Sequence, residues 1–256
     1  LGRVRGRGQS GTVAQALPNP LVVGVVDAAG SPVPDVPVLW TVMSGGGTVS
    51  AATATTDAAG LNSAVWTLGQ LAELGTVRAS LPDFPSVTPV SFTATGLAGP
   101  PARLIFTVQP TSATAGAAIA PAVQVTVQDA LGNTVTSATT SITLAITSGT
   151  GAAGAVLGGT LTQAAVSGVA TFSDLTLDKT GTGYTLTGTA GGLTSTTSGA
   201  FTVSAGGVSV ALSAVSVSSG TVASGSAVTL TLRAKDAFGN ILTTGGLTVL
   251  FTASGG

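Results

Sequence analysis

The sequence predicts an all-β chain built as tandem sandwich domains, and three observations carry that expectation. An alternating apolar strand runs into an Asp-x-x-Gly turn three times, at Asp27, Asp129 and Asp236. The copies lie about a hundred residues apart, the size of a small domain. Apolar residues alternate without a 3.6-residue stripe, and Gly, Asp, Asn and Pro punctuate them roughly every ten residues. Val, Ala and Leu mixed with Thr and Ser suit strands with one buried face and one hydroxyl-bearing face.

The first strand of each copy places apolar residues at alternate positions before the aspartate: Leu21, Val23 and Val25, then Val123, Val125 and Val127, then Leu230, Leu232 and Ala234. The other parity is polar in the second and third copies, with Gln124, Thr126 and Gln128, and Thr231, Arg233 and Lys235. Turn chemistry follows from residue type. Asp at the first position accepts bonds from its own backbone, and Gly tolerates positive φ. The structural turns expected on this ground are Asp27 with Gly30, Asp57 with Gly60, Asp129 with Gly132 and Asp236 with Gly239. A second alternating run follows each repeated turn: Val36, Val38, Trp40 and Val42; Ile142, Leu144 and Ile146; Leu247, Val249 and Phe251. Each closes on a Ser-Gly pair, at Ser44, Ser148 and Ser254.

Further strands are expected at 61–68, 75–80 and 87–95 in the first copy, and at 169–177, 183–190 and 200–204 in the second. Domains then run 1–98, 102–204 and, incomplete, 207–256. Residues 96–101 form a stiff, Pro-bearing linker, whereas Ala205-Gly206-Gly207 should hinge more freely. Arg3, Arg5 and Arg7 stand among glycines, so residues 1–9 read as a poor first strand and a solvated tail. Leu1 in place of methionine reads as a segment of a longer product, and a third copy too short to bury both strand faces reads as a boundary of that segment or as an edge completed by something outside this chain.

Composition excludes most chemistry. There is no cysteine or histidine, Glu73 is the only glutamate, and charged residues make up 7%, against about 25% in an average globular protein. No catalytic, cofactor-binding or metal-ligating residue is expected, because a tuned acid, base or nucleophile has little to be built from. A net charge of −1 argues against nucleic acid as a partner. No apolar run approaches the ~20 residues of a membrane helix, so this segment is not expected to insert in a membrane.

Residues 9–69 carry Asp27-Ala-Ala-Gly30, Val38-Leu-Trp40, Gly45-Gly-Gly47, Thr56-Asp57-Ala-Ala-Gly60 and Trp66-Thr-Leu-Gly69. In that order they resemble the bacterial Ig-like repeats of the invasin and intimin type. The later copies keep the first turn, but Thr-Asp-x-x-Gly is not evident in the second. The resemblance implies tandem immunoglobulin-like sandwiches serving outside the cell or at its surface, as a non-enzymatic stalk or adhesive array. Partners would then be a cell-surface ligand, or a second copy of this chain completing the third domain by strand addition into a filament. Carbohydrate binding is a further alternative.

Several residues invite sharper readings. The aspartate turns could ligate calcium, yet calcium takes 6–8 oxygens and each turn offers one carboxylate, with an Asn in only two copies. Trp40 and Trp66 could line a sugar groove, but both sit in apolar runs and are expected in the core. Lys179 and Lys235 could enter a Lys–Asn cross-link; nothing in the sequence brings an Asn and a carboxylate to them. The Thr- and Ser-rich faces could carry O-linked sugar, whereas Asn-x-Ser/Thr sites are absent.

Overall fold

The computed structural model describes residues 1–250; Phe251, Ser254 and the Arg3 side chain lie outside the described residues. Among the described residues every regular element is a strand. The chain groups into two compact units. One is Leu1–Arg103 with Val127–Ala138 and Val166–Gly168; the other is Leu104–Thr126 with Thr139–Ala165 and Val169–Gly256.

In the first unit Leu21–Gly24 lies between Gly2–Arg5 and Leu61–Ala64 in an antiparallel sheet. A second sheet runs in the order Gln9–Thr12, Val90–Leu97, Leu74–Ser80, Pro37–Ser44, Thr53–Thr55. Its edge strand Gln9–Thr12 pairs parallel with Val90–Leu97, and the other pairs are antiparallel. Residues 1–9, expected to be a solvated tail, instead supply a strand. Ladder bonds use backbone N–H and C=O, which any non-proline residue offers, and Arg5 and Arg7 remain exposed. Gly6, at φ +94°, lets the chain leave one sheet for the other where a side chain would strike Pro20 and Leu21.

Alternation delivers the core. Leu21 and Val23 from one sheet meet Trp40, Val77 and Phe92 from the other in a single buried cluster. The Trp40 and Phe92 rings lie 5.6 Å apart at 43°. The Trp40 indole N–H donates to Asn62 Oδ1 at 2.7 Å, and Asn62 Nδ2 donates to the Thr55 carbonyl. The one polar atom of that ring is therefore satisfied inside the core. Trp66 is fully buried against Gly75, where any side chain would run into the indole. Neither tryptophan offers an exposed sugar platform.

The second copy repeats the order of the first sheet, while the strands of its second layer fall into two separate sheets. Val123–Gln128 lies between Arg103–Val108 and Val169–Phe172, and Ser141–Ile146 between Thr162–Ala164 and Leu186–Thr189. Phe201–Ser204 pairs parallel with Ala113–Thr114, as Val90–Leu97 does with Gln9–Thr12. Ile142, Leu144, Phe172, Tyr184 and Leu186 are buried, and the Tyr184 hydroxyl donates to the Lys179 carbonyl at 2.8 Å.

Two expectations need correction and one needs completing. Gly96 sits within Val90–Leu97, so the first linker begins at Ala98. The second copy does replace its missing Asp-x-x-Gly turn: Ser167 and Gly168 take φ of +50° and +81°. Val127 N–H donates to the Gly168 carbonyl at 2.8 Å, just as Val25 N–H donates to Gly60. At both glycines a side chain would run into backbone, the Val25 carbonyl at Gly60 and the Val135 carbonyl at Gly168, so the close approach keeps the glycine while the aspartate is dispensable. In the third copy Ala214–Val217 pairs with Leu230–Arg233, but Leu247 and Val249, expected on a strand, are exposed and lie outside any strand. No described strand offers them a ladder.

Candidate functional site

All four aspartate turns share one local geometry. The Oδ1 atoms accept backbone N–H groups two and four residues on: from Ala29 and Ser31 at Asp27, Ala59 and Leu61 at Asp57, Leu131 and Asn133 at Asp129, Phe238 and Asn240 at Asp236. Each glycine donates its N–H to the aspartate carbonyl and takes positive φ: +85° at Gly30, +69° at Gly60, +95° at Gly132 and +83° at Gly239. One carboxylate oxygen is enough to build the turn.

The second oxygen separates the copies. Asp27 and Asp57 are exposed, whereas Asp129 and Asp236 are 2% and 1% exposed. Asp129 Oδ2 accepts the Gly99 N–H at 2.8 Å and the Asn133 Nδ2–H at 3.0 Å. Asp236 Oδ2 accepts the Gly206 N–H at 2.9 Å and the Asn240 Nδ2–H at 2.8 Å. The segment Ala205-Gly206-Gly207, expected to hinge more freely, thus carries the same anchoring bond as the Pro-bearing segment.

The asparagine continues the arrangement. Asn133 Oδ1 accepts the Ala72 N–H and its Nδ2 donates to the Gln70 carbonyl, both at 2.8 Å. Asn240 Oδ1 accepts the Thr180 N–H at 3.0 Å and its Nδ2 donates to the Asp178 carbonyl at 2.8 Å. Beside the second turn the Phe238 ring occupies the space a side chain on Gly116, at φ +78°, would need. Each set lies within a single unit of the fold.

Electrostatics follow from these partners. Burial pushes the Asp129 carboxyl upward, but the Asn133 amide and the Gly99, Asn133 and Leu131 N–H groups outweigh it and leave it below its ordinary value of 3.8. Asp236 behaves alike: burial raises it, while the Asn240 amide and the Gly206, Asn240 and Phe238 N–H groups bring the net shift below 3.8. Among the described residues no three acidic side chains gather to hold a metal. A surface depression of about 520 Å³ is lined by the Gly45–Gly47 run, residues 67–71 and Glu73, which supply one carboxylate and no nucleophile–base pair.

Sequence reasoning placed all four aspartates and glycines in turns but missed the docking. Its signal was present: Asn133 and Asn240 occupy the position that holds Ser31 and Leu61 in the undocked turns. What they bind could not be read, because Gln70, Ala72, Asp178 and Thr180 contribute backbone atoms only.

No family model matches the chain, and no curated protein does. Among solved structures, the Escherichia coli adhesin FdeC is 22% identical, with a TM-score of 0.55, over 91% of this chain and 72% of that one. The fold is that of the Ig-like repeats of bacterial adhesins. Yersinia pseudotuberculosis InvD is 19% identical, with a TM-score of 0.49, over 90% of this chain and 69% of that one. Invasin, a bacterial integrin-binding protein, matches over 93% and 46%, at 21% identity and a TM-score of 0.42. No helix among the described residues is long and apolar enough to cross a membrane.

Proposed function

We propose that the chain is a non-enzymatic array of two successive Ig-like repeats, 1–98 and 102–204, and an incomplete third, 207–256, serving as an extracellular spacer in a bacterial surface adhesin. The observation that carries this is the serial reuse of one strand order and one turn, with Gly99 and Gly206 each bonded to the aspartate of the turn that follows. The likeness to FdeC, described as an adhesin, supports the surface role. The polar exterior is mostly hydroxyl and needs no cofactor, and neither tryptophan is available to a glycan. A spacer works through its own folding and length, and its loops have no ligand to recognise.

The test presents the purified chain on beads to epithelial monolayers and to a glycan array at micromolar concentration. A spacer shows no retention on either. Saturable binding to cells by this chain alone would overturn the spacer role in favour of adhesion through these repeats.

A further inference from the structure

We propose that the asparagine at the fifth position of the repeated turn is a recognition residue by which one repeat reads the backbone of the repeat before it. Asp-x-x-Gly-Asn is then a clasp, and Asp-x-x-Gly without the asparagine is a turn only. The claim concerns binding between repeats and stands apart from the spacer reading.

The chemistry of the site admits one side chain. The Ala72 N–H can only donate, and the Gln70 carbonyl and Asp129 Oδ2 can only accept. The group between them must present one acceptor and two donors on a short, fixed stem, and only a carboxamide does so. These partners also fix which end of the amide is oxygen. Aspartate would set a carboxylate against a carbonyl and a second carboxylate. Serine is too short to span 70 and 72, and glutamine carries an extra methylene. The same three partners recur at Asn240 with Thr180, Asp178 and Asp236, so the arrangement occurs twice from sequences that share no side chain on the receiving loop.

The aspartate does two jobs with two oxygens. Oδ1 holds the turn in all four copies, while Oδ2 is free to take the linker N–H and the asparagine amide where the fifth residue is asparagine. The aspartate is buried only where this second set is complete, at Asp129 and Asp236. The Asp27 turn, with Ser31, keeps the Oδ1 bonds and stays exposed, which is the internal control that local folding does not need the amide.

Amide hydrogen exchange on the full chain tests this with Asn133→Ser, which installs the residue found at the undocked first turn. The Ala72 and Gly99 amides should exchange at least about tenfold faster, while those of Leu131 and Asn133's replacement, held by Asp129 Oδ1, change little. Asn240→Ser should release Thr180 and Gly206 and leave Ala72 protected, and it reads the same claim if the first variant unfolds. Unchanged protection of Ala72 in a folded Asn133→Ser chain, or of Thr180 in Asn240→Ser, would overturn the proposal. So would a uniform rise at all turn amides, because the asparagine would then be shaping the turn and not docking it.

Discussion

The turns at Asp27 and at Asp129 differ little in backbone and completely in surroundings. Both use Oδ1 to close on the residues two and four positions ahead, and both place glycine at positive φ. One is exposed and ends in Ser31; the other is buried, ends in Asn133 and is bonded to Gln70, Ala72 and Gly99. A single carboxylate thus serves folding with one oxygen and coupling with the other, and the fifth residue decides whether the second use occurs.

Asn133→Asp should widen this contrast most. It turns a donor toward the Gln70 carbonyl into a charge beside the Asp129 carboxylate, at a cost of about 2–4 kcal/mol. Ser31→Asp, at an exposed turn, should stay within about 0.5 kcal/mol. Urea unfolding at neutral pH measures both, and equal losses would erase the distinction between the turns.

Gly116→Ala comes next. The new methyl meets the Phe238 ring in a backbone already at φ +78°, for a loss of about 1–3 kcal/mol. Gly30→Ala, at φ +85° with open space around it, should lose only about 1 kcal/mol for its backbone. A thermal melt of each variant distinguishes steric docking from backbone strain.

Acid should undo the clasps in a defined direction. Asp129 and Asp236 have folded values below 3.8, so the folded state binds their protons more weakly than the unfolded chain does. Their contribution is complete above about 3.8 and is lost as pH falls through the lower folded values. Proton uptake then removes an acceptor from Gly99 and Gly206, and exchange of those two amides, extrapolated to a common pH, should rise in that window. A flat response through it would remove the carboxylates from the account.

Gly99→Ala should do least, within about 0.5 kcal/mol. The N–H is kept, φ is not in the left-handed region, and the methyl would sit 3.6 Å from Asp129, an ordinary contact. A larger loss would mean that the glycine is there for space and not for its amide.

The strands were legible because alternation is a local property: Leu21, Val23 and Trp40 declare a buried face whatever they pack against. So were the turns, since Asp and Gly each carry their own reason for the position. What sequence could not reveal was built from backbone. Gly2–Arg5 joins a sheet through backbone groups that any non-proline residue has, which the charge in its sequence did not suggest. Gly168 preserves a close approach after the aspartate of its motif has gone. The clasp partners Gln70, Ala72, Asp178 and Thr180 contribute no side-chain chemistry, so only Asn133 and Asn240 announced them, and the announcement named no target.

The most direct test of the clasp is detection of its hydrogen bonds by through-bond nitrogen–carbon coupling in the labelled chain. Cross-peaks should link the Ala72 amide to the Asn133 side-chain carbonyl carbon, the Thr180 amide to that of Asn240, and the Gly99 and Gly206 amides to the carboxyl carbons of Asp129 and Asp236. If those four amides are rapidly exchanging and show no such coupling, while the Oδ1 bonds to Leu131 and Phe238 are seen, the turns are folding devices alone and the clasp does not exist.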